Sequence, residues 1–154
     1  MGRPCDICAK HRGEGPLVGP VLFEDDLVVV THRPLSEGRL PGYLFVEPRR
    51  HTTGGFPDLT DAEGAAIGQA AARAARVLRR ELAPRYVFSK ITGITWEHFH
   101  QHVFARDHDT PDDVPWHSPD LWADAPPFDT DALERLCARL RERFSDPAPI
   151  SPPR

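Results

Sequence analysis

A chain of 154 residues, 40% of them hydrophobic, can bury one globular core without needing disulfides. Its formal net charge of −4 supplies no basic field for a phosphate backbone, which excludes generic nucleic-acid binding. Met1 to Asp6 hold no apolar signal core, and no stretch approaches the ~18 consecutive apolar residues of a membrane helix, so a cytoplasmic protein without membrane association is expected.

Cys5 and Cys8 form a close pair near the start. Without a secretory context they read as a metal or redox site rather than a structural disulfide, the bland alternative being two reduced thiols. A Gly- and Pro-containing linker through Gly13, Pro16 and Pro20 leads to a short strand, Val21–Glu24. Asp25 and Asp26 separate it from the β-branched run Leu27–Thr31, so the two predict a hairpin or tight strand pair. Pro34, Gly38, Pro41 and Gly42 break regular structure before a third strand, Tyr43–Glu47, which Pro48 stops. Arg49, Arg50 and His51 then sit at a strand end; surface charge accounts for the arginines more readily than for His51.

Thr60 and Glu63 have capping-box spacing and predict an alanine-rich helix to about Leu82. Ala66, Ala70 and Val77 share its apolar side, Arg73, Arg76, Arg79 and Arg80 its exposed side, and Gly64 and Gly68 would permit close packing on a sheet. Pro84 ends it before a fourth strand, Tyr86–Ile91. Residues 107–127 form an acidic excursion with five prolines and Trp116 and Trp122, long enough to imply docking or function. A final helix over 131–144 sets Leu133, Leu136, Cys137, Leu140 and Phe144 at helical spacing. No domain boundary is visible: one domain spans 1–145, and the tail 146–154, with four prolines, is predicted disordered.

Chemistry concentrates at residues 98–104, His98-Phe99-His100-Gln101-His102-Val103-Phe104. In a strand, His98, His100 and His102 would line one face, each ~6.6 Å from the next. Three imidazoles are costly to bury unless a metal or hydrogen bonds satisfy them, and each can act as nucleophile, proton donor or ligand. Phe99, Val103 and Phe104 mark a partly buried strand rather than a solvated one.

This row resembles the H-x-H-x-H-x-x signature of the histidine triad (HIT) nucleotide hydrolases and transferases. Cys5-x-x-Cys8, Phe23-Glu24-Asp25-Asp26, Leu44 to His51 and Leu59 to Glu63 follow in the family's order, and the resemblance covers about residues 4–106. It implies an α+β fold, a HIT-like antiparallel sheet of about five strands with the long helix packed on it, and a homodimer. It assigns His100 as the nucleophile toward a nucleotide's α-phosphorus, His102 as a phosphate-oxygen donor, and Thr95 as a hydroxyl assisting the leaving group. Cys5, Cys8, His51 and His98 would hold a structural zinc as a closed Cys2His2 set. The implied substrate is a nucleoside phosphate ester, anhydride or phosphoramidate; the competing functions are a nucleotide-binding protein with little catalysis and a biosynthetic transferase with another phosphorylated substrate.

The chain departs from the family around this row. Thr31, with His32 beside it, stands where relatives carry an acid for the ribose hydroxyls, leaving a hydroxyl to bind there. Tyr43 stands where a histidine is usual, Gly93-Ile94 replaces Gly-Gln, and Gln101 puts an amide on the face opposite the histidines.

Overall fold

Runs of β-branched and aromatic residues broken by Gly, Pro and Asp turns give one antiparallel sheet in the computed structural model, which describes residues 4–146. Its strands are β1 (Val21–Glu24), β2 (Val28–His32), β3 (Tyr43–Pro48), β4 (Tyr86–Ile91) and β5 (Gln101–Arg106), in the spatial order β1-β2-β3-β5-β4. The expected α+β architecture with five strands is therefore the observed one. Residues 1–3 and the Pro-rich tail from Pro147 onward lie outside the described residues.

One face of the sheet carries Val28, Val30, Leu44, Val46 and Val103 into the core. Against it pack α2 (Asp61–Leu82), through Ile67, Ala70, Ala74, Val77 and Leu78, and α3 (Thr130–Ser145), through Leu133, Leu136, Cys137, Leu140 and Phe144. The opposite face aligns Thr31, Phe45 and His102 across β2, β3 and β5, with Lys90 of β4 next in the row. Gln101 turns the other way and donates to Ser89 Oγ at 2.9 Å.

Thr60 and Glu63 form the expected capping box. Glu63 also takes a bidentate contact from Arg50, 2.8 Å on both oxygens, so Arg50 does more than charge the surface: it ties the loop carrying His51 to the start of α2. Arg73 lies half-buried with its guanidinium over Phe23 and Phe144, a correction to its expected exposed position, because its aliphatic stem covers apolar surface. Gly64 and Gly68 are not packing glycines; a methyl group at either would meet open space. The close approach occurs instead at Gly42, where φ is +74° and a Cβ would lie 2.5 Å from Leu82.

Two local expectations are corrected. The segment Cys5 to Cys8 begins a short helix, α1 (Asp6–His11), with Cys5 as its N-cap. The strand expected over 98–104 starts at Gln101 and continues to Arg106, so His98 and His100 precede it. The ladder with β3 ends at the pair Val46 and Gln101, and side chains take over beyond it. Phe99 N–H donates to Thr52 Oγ1 at 3.1 Å, and the carbonyls of Pro48 and His98 each accept from an imidazole.

Candidate active site and metal centre

Four donor side chains converge where α1 meets the end of β3 and the segment before β5. The ligand atoms of Cys5, Cys8, His51 and His98 all lie within 4.8 Å of one another. Nδ1 of His98 is 3.5 Å from Cys5 Sγ, 3.4 Å from Cys8 Sγ and 3.4 Å from His51 Nδ1, and Cys8 Sγ is 3.5 Å from His51 Nδ1. Tetrahedral bonds of about 2.3 Å to sulfur and about 2.0–2.1 Å to nitrogen place ligand atoms roughly 3.3–3.7 Å apart, so these spacings fit a four-coordinate divalent cation.

The hydrogen bonding supports the same conclusion. His98 Nε2 donates to the Pro48 carbonyl at 2.8 Å, which leaves the Nδ1 lone pair aimed at the cluster, the usual outer-shell arrangement of a metal-binding histidine. Burial, only partly opposed by that hydrogen bond, pushes the His98 pKa down to about 4, so the ring is neutral as a ligand requires. Burial and the neighbouring Cys5 push the Cys8 thiol up to about 11, a cost to the thiolate that a bound cation would reverse.

His100 is buried, and its Nδ1 donates to the His98 carbonyl at 2.7 Å. That bond places the ring's proton on Nδ1 and leaves the Nε2 lone pair free, the state a nucleophile needs. The ring of His102 lies 5.1 Å from that of His100 and is half-buried. Its Nδ1 meets the Tyr43 hydroxyl at 2.7 Å, while its Nε2 is buried without a partner among the described residues. Burial first, then His100 and Lys90, push the His102 pKa down to about 3. Beside His100 opens a small pocket, lined in part by Ile7, Lys10, Phe45, Glu47 and Trp96.

The other proposed site residues separate. Thr31 is buried on the sheet face of Phe45 and His102, 3.4 Å from Lys10 Nζ. His32 alternates to the helix face: Nδ1 donates to the Arg33 carbonyl at 2.8 Å and Nε2 accepts from Gly42 N–H at 2.9 Å, so both nitrogens are used structurally and none faces a ligand. Thr95 is exposed on the loop before the row.

No protein-family model and no curated protein matches the chain. Solved structures do. The chain is similar to a HIT-like protein involved in cell-cycle regulation from Bartonella henselae, at 17% identity over 93% of this chain and 99% of that one, with a TM-score of 0.67. It is similar to a Zn-bound histidine triad family protein from Mycobacterium smegmatis, at 23% identity over 92% and 93%, TM-score 0.66. A hypothetical histidine triad nucleotide-binding protein from Sulfolobus tokodaii aligns at 16% identity over 91% of each chain, TM-score 0.67. The chain has the histidine triad fold.

Within this fold, the sequence left three interactions unread. Glu47 is 1% exposed and binds Lys10 Nζ at 2.6 Å and His11 Nε2 at 2.8 Å, anchoring α1 to β3. Burial alone would push the Glu47 carboxyl up, and the Lys10 ammonium with His11 more than reverses this, so it lies below the usual carboxylate range. The available signal was parity: Glu47 shares the face of Tyr43 and Phe45 in a buried strand, where a lone carboxylate requires a partner. Arg33 pairs with Asp120 through two 2.7 Å bonds. Lys90 donates to the His117 carbonyl and Trp116 packs 5.4 Å from Phe88, so the 107–127 excursion docks on the chain's own histidine face. The larger cavity beneath its other end, lined by Leu82, Ala105, Trp122 and Phe128, contains none of the row's histidines.

Proposed function

We propose that this chain is a zinc-containing histidine triad hydrolase or nucleotidyltransferase acting on a nucleoside phosphate ester, anhydride or phosphoramidate. The observation that carries this is the state of His100: a buried imidazole with Nδ1–H held by a backbone carbonyl, Nε2 free, and the unpartnered Nε2 of His102 beside it. Nε2 of His100 would form a bond to phosphorus as the bond to the leaving oxygen or nitrogen breaks. Water or another acceptor then attacks phosphorus, the N–P bond breaks, and its electron pair returns to Nε2. Nε2–H of His102 would donate to a non-bridging oxygen, where negative charge builds in the transition state. Thr31 would offer a hydroxyl to the substrate, and Thr95 would reach the leaving group by loop movement.

Zinc on Cys5, Cys8, His51 and His98 would supply a cross-link between α1, the end of β3 and the histidine segment; with four protein ligands it keeps no position for substrate. The Zn-bound structure from Mycobacterium smegmatis supports this choice of metal. A cytoplasmic homodimer belongs to the same proposal, with β4 available at the edge of the sheet. No helix among the described residues is long and apolar enough to cross a membrane.

A second possibility, a transferase for a phosphorylated substrate other than a ribonucleotide, is favoured by Thr31, a buried hydroxyl where a ribose-binding acid would otherwise stand.

A panel of adenosine and guanosine polyphosphates and phosphoramidates, assayed with wild type and His100→Ala, tests the proposal. Turnover should be abolished in the variant, and the wild type should yield a mass adduct of one nucleoside monophosphate on His100. Absence of turnover across the panel, or equal turnover by the variant, would overturn it.

A further inference from the structure

Tyr43 is buried at the start of β3, and its hydroxyl lies 2.7 Å from Nδ1 of His102. The ring has little freedom. It stacks on Phe104 at 4.9 Å with an 8° tilt, and the Arg33 guanidinium lies 4.0 Å from its centroid. Arg33 is held in turn by both oxygens of Asp120, from the 107–127 excursion. Three segments distant in sequence therefore converge to aim one hydroxyl at one imidazole nitrogen.

We propose that Tyr43 is a positioning residue: by donating its O–H to Nδ1 of His102, it holds that ring's proton on Nε2, the atom that would donate to the reacting phosphate. The catalytic significance rests on the proposed function above; the proton placement does not.

The direction of the bond follows from satisfaction of both groups. His102 is the hydroxyl's only hydrogen-bond partner among the described residues. If the hydroxyl accepted from Nδ1–H, its own proton would be buried without an acceptor, and Nε2 would be a bare lone pair facing a phosphate. Donation satisfies the O–H and leaves Nε2–H as a donor. Burial pushes the Tyr43 pKa up to about 12, so the proton is present throughout the working range. The groups facing the pair from adjoining elements are Arg33, Asp120, Lys90, His100 and Glu47; Glu47 favours the charged ring, but burial with His100 and Lys90 outweighs it and His102 stays neutral. Any neutral imidazole exchanges between two tautomers, and a fixed donor at Nδ1 removes the unproductive one. The rest of the ring's surroundings could not do this: Phe45, at a centroid distance of 5.0 Å, offers no proton.

The test is nitrogen-15 NMR of histidine-labelled protein at pH 7, with His102 assigned by the loss of its signals in His102→Gln. In the wild type, Nε2 should carry the protonated, pyrrole-type shift and Nδ1 the hydrogen-bonded acceptor shift. A protonated Nδ1, or a tautomer mixture, in the wild type overturns the proposal without any variant or substrate. In Tyr43→Phe, the two nitrogen shifts should move toward each other as the tautomers mix. With adenosine 5′-phosphoramidate as probe, the same variant should lose about 10–100-fold in kcat with KM changed less than about threefold. Unchanged tautomer and kcat in a folded Tyr43→Phe overturn the positioning role. A wild type that turns over no probe, yet shows the predicted tautomer, sinks the proposed reaction and leaves the proton placement standing.

Discussion

Replacing Glu47 by Gln removes the only carboxylate among the described residues that compensates the buried Lys10. The native group accepts two charge-assisted hydrogen bonds, 2.6 Å from Lys10 and 2.8 Å from His11, and both partners are almost wholly enclosed. Breaking a buried ion pair from one side destabilises by about 3–5 kcal/mol; because Gln keeps one acceptor, about 3 kcal/mol is expected. With a urea slope of about 2 kcal/mol per molar, the unfolding midpoint at pH 7 should fall by about 1.5 M. Since Glu47 is held below its unfolded pKa, its contribution is complete above the unfolded carboxylate range and is lost as pH falls through the folded value. The difference between wild type and variant should therefore shrink in acid. Lys10→Met combined with Glu47→Leu should recover most of the loss, because no buried charge is then left unpaired. A midpoint shift at pH 7 below about 0.3 M would refute the claim that this ion pair secures α1.

Metal loading predicts a thiol count: zinc-loaded protein should react slowly with a disulfide reagent, and chelation should expose Cys5 and Cys8 while buried Cys137 stays protected. Zinc below about half an equivalent per chain in protein never exposed to chelator would count against the four-ligand centre. His32, whose pKa burial lowers from 6.5 to about 4, should cost stability as pH drops from about 6.5 to 4, since the unfolded chain binds that proton first. His32→Phe should remove its share of the acid sensitivity, leaving that of His98 and His102, while losing about 1–3 kcal/mol through the unpaired Gly42 N–H, read by denaturation at pH 5 and 7. Asp120→Asn weakens the clamp on Arg33, so amide exchange should quicken within residues 107–127 by several-fold and remain unchanged in α2; an unaltered 107–127 segment would show that the clamp does not hold the excursion.

Local chemistry made much of the fold legible. β-branched runs, the Thr60 capping box and the heptad-like stripe of α3 are short-range signals, and each produced an element close to its expected bounds. The short helix α1 was invisible to periodicity because six residues give less than two turns of pattern; its N-cap is a thiol, and its stability comes from Glu47, far along the chain. The strand boundary at Gln101 was likewise hidden, since it depends on Pro48 and Thr52 capturing side-chain and backbone bonds from the His98 to His100 segment.

The histidine spacing marked residues 98–104 as the candidate site, because a row of imidazoles between aromatic and β-branched neighbours has few inexpensive uses, and the resemblance supplied the roles. Which hydrogen bonds each imidazole makes was decided in three dimensions. A carbonyl sets the free nitrogen of His98 and of His100, and a tyrosine hydroxyl meets His102. Parity also sent Thr31 to the face of Phe45 and His102, and His32 to the opposite face. These assignments depend on which atom lies within 3 Å of which nitrogen, and that is a property of packed strands and loops rather than of residue order.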